Sequence, residues 1–408
     1  MKYTYLFLSL LTATVSVQAQ DFDPAAIRKH IEYLASDDLE GRGTATMGEI
    51  RAANYIADIF KNAGLKPAGA DGSYFQPFQV SFAIDGNPHL LTARNVVGYL
   101  DNGAKKTIVI GAHYDHLGKG FQGSSLTPDS KNKIHNGADD NASGTTGLLE
   151  LAARFSGNKI SEKHNILFIA FSGEELGLLG SKYFTENPTV SLDQISCMIN
   201  MDMIGRLSSD KGLIISGWGT SPAWGKLIPD LAKKQNLRFN VDSSGVGASD
   251  HTSFYLKNIP VVQFFTGGHS DYHKISDDVA KINFQGEASI LSLIAGLIEK
   301  LGNESAEPPF QTAENPHSGN TSTDFKVTLG IMPDYSYSGK GLRIDAVTKA
   351  RPADKAGMLT GDIIIKLAGK EIGSIYDYMD VLGSHEKGDQ VEAELRRGTE
   401  TKKVQVTF

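Results

Sequence analysis

Five short apolar runs, at residues 107–110, 166–171, 197–201, 213–215 and 261–265, constrain the fold of this chain more than any other feature. Each run is mostly apolar rather than alternating, broken only by Thr107, Asn200 and Gln263, so each predicts a strand buried on both faces. Helical patterns separate them, at residues 145–155, 176–184, 223–234 and 288–301. Strands that alternate with helices predict an α/β fold: a mixed, largely parallel sheet sandwiched by helices. Two more helical patterns come first. Asp23 caps a start at Pro24 ahead of Ile27, Ile31 and Leu34, and Ala52, Ile56 and Phe60 form one stripe across residues 47–62.

The chain divides at residues 303–323, where NESAEPPFQTAENPHSGNTST is rich in Pro, Ser, Thr and Asn and poor in apolar side chains. That is linker chemistry. Residues 324–408 hold 13 acidic and 13 basic side chains, so the net charge of -7 belongs to the larger unit before it. An acidic balance of this kind argues against a nucleic-acid-binding surface. Lys2 precedes an apolar stretch from Tyr5 to Val17 and a small-residue site at Ala19. This pattern predicts a signal peptide over residues 1–19 and export to the periplasm or the medium. No run approaches the roughly 20 apolar residues of a membrane span. The expected organisation is a signal at 1–19, an α/β domain at 20–302, a linker at 303–323 and a small β-rich domain at 324–408.

Chemistry gathers where the apolar runs end. Residues 108–110 lead into Gly111-Ala112-His113-Tyr114-Asp115, 169–171 into Ser172-Gly173-Glu174-Glu175, and 199–201 into Asp202. The last run precedes Ser270-Asp271-Tyr272-His273, and Gly137-Ala138-Asp139-Asp140-Asn141 stands just before a helix. Ligands of open α/β sheets bind beyond the carboxyl ends of the strands. Two imidazoles and three carboxylates collected there need a cation to balance them. The single cysteine, Cys197, cannot build a cysteine-based site and reads as core, so the donors must be His, Asp and Glu. Five such donors exceed one tetrahedral zinc with an open position and suit two metals sharing a carboxylate. In the adjacent pair Glu174-Glu175, one carboxylate can ligate while the other acts as general base toward water.

GAHYDH, GADDNASG, FSGEELGLLGS, INMDMIG and DYHKISDD, in this order, resemble the M28 family of zinc aminopeptidases, and Ser36-Asp37-Asp38-Leu39-Glu40-Gly41-Arg42-Gly43 is similar to the opening of its bacterial members. The resemblance spans roughly residues 24–300. It implies His113 and Asp202 on one Zn2+, Glu175 and His273 on a second, and Asp140 bridging, with Co2+ or Mn2+ as substitutes. It further implies Glu174 as general base, Tyr272 as a stabiliser of the oxyanion, and Asp115 as the carboxylate orienting His113. The implied substrates are peptides with a free N-terminus. Carboxypeptidases and glutaminyl cyclases share the scaffold, and some relatives without metal are binding proteins.

His116, His251 and His269 stand near these motifs with no role fixed by sequence, and Asp250-His251 reads as either a supporting pair or a helix cap. His30, His89, His164, His317 and His385 lack an acidic cluster and read as solvated. Residues 118–123, GKGFQG, match a dinucleotide fingerprint, but no helical period follows, so a loop is expected. No G-x-S-x-G elbow occurs. The C-terminal unit is similar to a PDZ domain, with Leu329, Gly330 and Ile331 in its carboxylate-binding loop. That resemblance implies capture of a peptide C-terminus on a sheet edge.

Overall fold

The computed structural model describes residues 22–84, 87–122, 125–158, 160, 162–303, 307–313, 327–333, 339–347, 351–373 and 375–408. The predicted signal peptide lies outside them. The five expected strands all form: β4 (Thr107–His113), β5 (Asn165–Phe171), β6 (Ile195–Met201), β7 (Leu213–Ser216) and β9 (Val261–Phe265). Four more complete a nine-stranded sheet: β1 (Lys66–Pro67), β2 (Phe75–Ile84), β3 (Asn87–Leu100) and β8 (Phe239–Val241). The order is β1-β3-β5-β4-β6-β9-β7-β8, with β2 on the outer side of β3. Strands β5, β4, β6 and β9 are mutually parallel, and β3 and β7 run antiparallel to their neighbours β5 and β9. The sequence pattern singled out neither arm of the β2–β3 hairpin.

Helices α1 (Pro24–Leu34), α2 (Met47–Asn62), α3 (Gly144–Gly157), α5 (Pro222–Lys234) and α7 (Phe284–Asn303) form where the 3.6-residue pattern predicts them. Helix α1 starts as its sequence dictates, with Asp23 accepting from Ala25 N and Pro24 in the first turn. Helix α4 (Leu179–Glu186) begins later than the apolar pattern suggests. Residues 174–178 instead make a turn in which Gly177 N and Leu178 N donate to Glu174 O at 2.8 and 2.9 Å, and Leu178 takes a φ of 62°. A short α6 (His251–Tyr255) precedes β9. Ile27, Ile31, Phe60, Leu148, Ile294 and Ile298 come from four helices and pack with Ile110, Phe168 and Ile199 on one face of the sheet. Phe184 and Phe254 cover the other face beside Val109, Leu167 and Met198.

Part of the proline-rich stretch at 303–323 lies on the α/β unit. Gln311 N donates to Thr220 O at 2.8 Å, Glu307 pairs with Lys106 at 3.0 Å, and Phe310 packs on Tyr255. The apolar Phe310 and Ala313, sparse as they are in that stretch, find cover there.

The C-terminal unit has its own core, with Leu329, Ile344, Ile364, Leu367, Ala393, Leu395 and Val406 among its buried members. Its sheet runs β10 (Ile331–Pro333), β11 (Leu342–Val347), β12 (Ile363–Leu367), β14 (Gln390–Arg397) and β15 (Glu400–Thr407), with β13 (Lys370–Glu371) beside β12. Helices α8 (Pro352–Lys355) and α9 (Ile375–Gly383) complete it.

Candidate metal centre

The parallel register brings the chemistry together. His113, the last residue of β4, is the ladder partner of Phe171, so Glu174 and Glu175 emerge beside it. Met201 is the partner of Phe264, so Asp202 leaves the sheet on the same edge as the loop that carries His273. Asp140 arrives from the turn before α3. Its neighbours are fixed there because Asn141 Oδ1 accepts from Gly144 N at 2.8 Å and Met203 N at 3.1 Å, and its Nδ2 donates to Met201 O at 3.1 Å.

All five donors expected from the sequence meet in one buried cluster. His113 Nε2 lies 3.3 Å from Asp202 Oδ1 and 3.5 Å from Asp140 Oδ1. His273 Nε2 lies 3.3 Å from Asp140 Oδ2 and 3.2 Å from Glu175 Oε2. Asp140 thus turns one oxygen to each imidazole. Zinc with bonds of about 2.0–2.1 Å in a tetrahedral field separates its ligand atoms by roughly 3.3 Å, so these four spacings fit the donors of such an ion. Two groups of three candidate ligands share Asp140: His113 with Asp202, and His116 with Glu175.

The electrostatics ask for positive charge. Burial alone would lower His113, but Glu174 and Asp202 outweigh it and lift the imidazole well above its ordinary value. Burial likewise opposes, and Glu175 and Asp140 overcome, in raising His273. Burial would also raise Glu175, yet His273 and His116 hold it well below the usual carboxylate range. Glu174 goes the other way: burial, aided by Asp202 and Glu175 and opposed by His113, pushes its carboxyl well up. A divalent cation at these donors supplies the charge the carboxylates demand.

The remaining expected residues surround the cluster. Glu174 Oε2 stands 4.0 Å from His113 Nε2. The Tyr272 ring stacks on His273, centroids 3.8 Å apart and planes 22° apart. Asp115 is fully buried behind His113, with its carbonyl oxygen 3.2 Å and its carboxylate 3.8 Å from Nδ1. That carboxylate accepts from Thr44 Oγ1 at 2.8 Å and from Glu174 N at 3.1 Å.

Sequence reasoning passed over several supports. Arg42 is fully buried and donates to four carbonyls: Leu34 O, Tyr114 O at 2.9 Å, Asn136 O at 2.8 Å and Gly137 O at 2.9 Å. It ties the chain before α2 to the stretches that hold Asp115 and Asp140. Asp277 Oδ2 accepts from both Asp139 N and Asp140 N at 3.0 Å. Both residues stood inside the motifs quoted above, but backbone partners, the carbonyls that Arg42 meets and the amides that Asp277 meets, leave no trace in sequence. Of the undecided histidines, His116 enters the cluster and His269 Nε2 pairs with Asp139 Oδ2 at 3.0 Å. His251 is buried and pushed down to about 3 by that burial. The Asp250 side chain makes no capping bond to α6, and burial pushes it up to about 7.

His30 and His164 are not solvated as expected. His30 Nδ1 meets Tyr55 Oη at 2.7 Å, and His164 is buried at the start of β5, where an apolar strand draws its flank inward. Cys197 is core, its thiol pushed up to about 12 by burial. Within 118–123, the described residues form a loop against Gly41–Gly43, with Gly118 N donating to Gly41 O at 3.0 Å. In the C-terminal unit, Gly330 takes a φ of 71°, and a Cβ there would stand 2.3 Å from Arg351 Cβ. Ala353 N donates to Leu329 O at 2.9 Å, and Arg351 Nη2 reaches across to Ser125 O at 2.5 Å.

A mostly parallel sheet gathers two groups of His, Asp and Glu side chains around one shared carboxylate, each group able to hold a metal ion. The model of Peptidase family M28 matches residues 95–298, half of the 408-residue chain, and that of the PDZ domain matches residues 322–408. The chain belongs to peptidase family M28 and is a metallo-exopeptidase of the aminopeptidase-like kind, with a C-terminal PDZ domain. It is similar to leupeptin-inactivating enzyme 1 of Streptomyces exfoliatus, 24% identical over 379 residues, which cover 88% of this chain and 79% of that one. Among solved structures it resembles a leucine aminopeptidase precursor from Bacteroides thetaiotaomicron, with a TM-score of 0.57 at 21% identity, over 69% of this chain and 99% of that one. A glutaminyl cyclase from the same organism matches with a TM-score of 0.56 at 21% identity, over the same 69% and 99%. Fold similarity at this level does not separate the two chemistries.

Proposed function

We propose that this protein is an exported dinuclear zinc aminopeptidase that removes N-terminal residues from peptides. The observation that carries this reading is Asp140, whose two oxygens face His113 and His273 at 3.5 and 3.3 Å. In this reading His113 and Asp202 hold one zinc, Glu175 and His273 hold the other, and Asp140 bridges. When bound, the pair lowers the pKa of water toward neutrality and polarises the scissile carbonyl.

The chain's own groups do the rest. Glu174 Oε2 takes the proton of the attacking water and delivers it to the leaving amine. The Asp115 carboxylate fixes the Glu174 backbone through the amide at 3.1 Å, and so aims the base. Tyr272, held by its stack on His273, presents its hydroxyl to the developing oxyanion. The substrate's free α-amine sits against the acidic cluster, which explains a preference for N-termini. Residues 1–19 act as the signal, 20–302 as the peptidase, 303–323 as the connection, and 324–408 as a PDZ unit. Leu329, Gly330 and Ile331 of that unit receive a peptide C-terminus.

The test is mass spectrometry of peptides, half with free and half with acetylated N-termini, incubated with the mature chain and zinc. Loss of one N-terminal residue from the free set alone is expected. Trimming from the C-terminus, or loss of ammonia from N-terminal Gln, would overturn the substrate assignment in favour of a carboxypeptidase or a cyclase. Glu174→Gln should keep both metals and lose about 10²–10⁴-fold in kcat. A near-native kcat would refute its role as base.

A further inference from the structure

His116 is absent from the five donors expected at the metal centre, yet it is fully buried against them. Its Nδ1 lies 2.8 Å from Glu175 Oε1 and 3.8 Å from Asp140 Oδ2. Its ring meets that of His273 edge-on, centroids 5.9 Å apart at 71°. The chain holds it from both sides. His116 N donates to Arg42 O at 3.1 Å, and Gly137 lies against the ring so closely that a Cβ there would stand 2.5 Å from His116 Cδ2. Gly137 also has a φ of 54°, so only glycine lets the Asp140 turn pass over this imidazole.

The distances separate two roles. Atoms that share one tetrahedral zinc stand roughly 3.3 Å apart, as His273 Nε2 does from Glu175 Oε2 at 3.2 Å and from Asp140 Oδ2 at 3.3 Å. His116 Nδ1 fits neither spacing. At 2.8 Å from Glu175 it is at hydrogen-bond distance, and at 3.8 Å from Asp140 it is too far. Ionised carboxylate oxygens only accept, so Nδ1 carries the proton and has no lone pair to give a metal.

We infer that His116 is a positioning residue for the second metal site. It donates to Glu175 Oε1, fixes the rotation of that carboxylate, and leaves Oε2 alone to ligate beside His273. A bare Glu175 could turn both oxygens to the ion or swing away. The inference rests on the two-metal reading above.

The test is metal affinity of the full mature chain, read by competition with a chromophoric chelator for Zn2+ and by the visible spectrum with Co2+. Wild type should take two ions. His116→Ala should weaken the second ion by about 10–100-fold and leave the first, at His113 and Asp202, within about twofold. His116→Asn places an amide N–H where Nδ1 was and should restore the second affinity to within about threefold. Its Co2+ spectrum should be native. Native second-site affinity in His116→Ala would overturn the inference. So would equal loss in Ala and Asn with an altered Co2+ band, because His116 would then be a ligand itself. If His116→Ala does not fold, His116→Gln fills the space with no donor at the Nδ1 position and serves in its place. A wild-type chain that binds fewer than two ions sinks the two-metal reading first, and this inference with it.

Discussion

Replacing Arg42 by Met should cost about 4 kcal/mol of stability and loosen both metal groups. The guanidinium makes four hydrogen bonds to carbonyls in three separate stretches. Charged hydrogen bonds contribute about 1.5–3 kcal/mol each, so the gross loss is about 6–12 kcal/mol. Against this stands the cost of burying the charge. Burial pulls Arg42 down to about 10 even with Asp140, Asp115, Asp277 and Glu175 nearby to support it. Relative to a free arginine that is a cost of about 3 kcal/mol, which the apolar variant recovers. Water entering the space would satisfy some freed carbonyls, which places the net loss near the lower end of the remaining range. Urea unfolding of the metal-free chain, followed by circular dichroism, measures it. Zinc affinity should fall in parallel, since Tyr114 O and Gly137 O flank Asp115 and Asp140. Arg42→Lys keeps the charge without the fork and should recover only part. A loss below about 1 kcal/mol with native metal affinity would refute the reasoning.

Two further outcomes follow from the burial pattern. Glu49 caps α2 by reaching back to Ala45 N at 2.6 Å and accepting from Ser172 Oγ, and burial pushes it up to about 8. The folded value lies above the unfolded one, so this group's stabilisation is complete below about pH 4.5 and is lost as pH rises through about 8. Up to about 5 kcal/mol is at stake. Glu49→Gln should flatten that decline in unfolding midpoints taken from pH 5 to 9, and an unchanged slope would remove Glu49 as its source. Leu395 is wholly buried in the C-terminal core, so Leu395→Ala should cost about 2–5 kcal/mol there. If the two units fold separately, calorimetry will shift one transition and leave that of the α/β unit in place. A common shift would mean one cooperative block.

Much of the site was legible because a parallel sheet writes itself plainly. Its strands are apolar on both faces, so Thr107–His113, Asn165–Phe171 and Ile195–Met201 stand out, and the residues that follow must lie on one edge. The β2–β3 hairpin was harder. It forms the outer part of the sheet, where Gln76, Gln79 and Thr92 interrupt the apolar pattern, and Gln79 Nε2 donates to Thr92 Oγ1 across it at 2.9 Å. The turn at 174–178 hid the true start of α4, because Leu178 takes a left-handed φ of 62° that its apolar side chain does not announce.

The sequence by itself determined which donors exist, in what order, and that cysteine is not among them. Only the tertiary structure decided how they face one another. Asp140 stands between two imidazoles because Asp277 holds its amide from a loop 137 residues away. Arg42 and Asp115 act through backbone carbonyls and amides, which every residue carries and no sequence distinguishes. His116 and His273 both stand beside Glu175, one 2.8 Å from Oε1 and the other 3.2 Å from Oε2, and nothing in their order along the chain tells which oxygen each meets. A hydrogen bond and a shared metal place the same atoms at different spacings, and spacing exists only once the chain has folded.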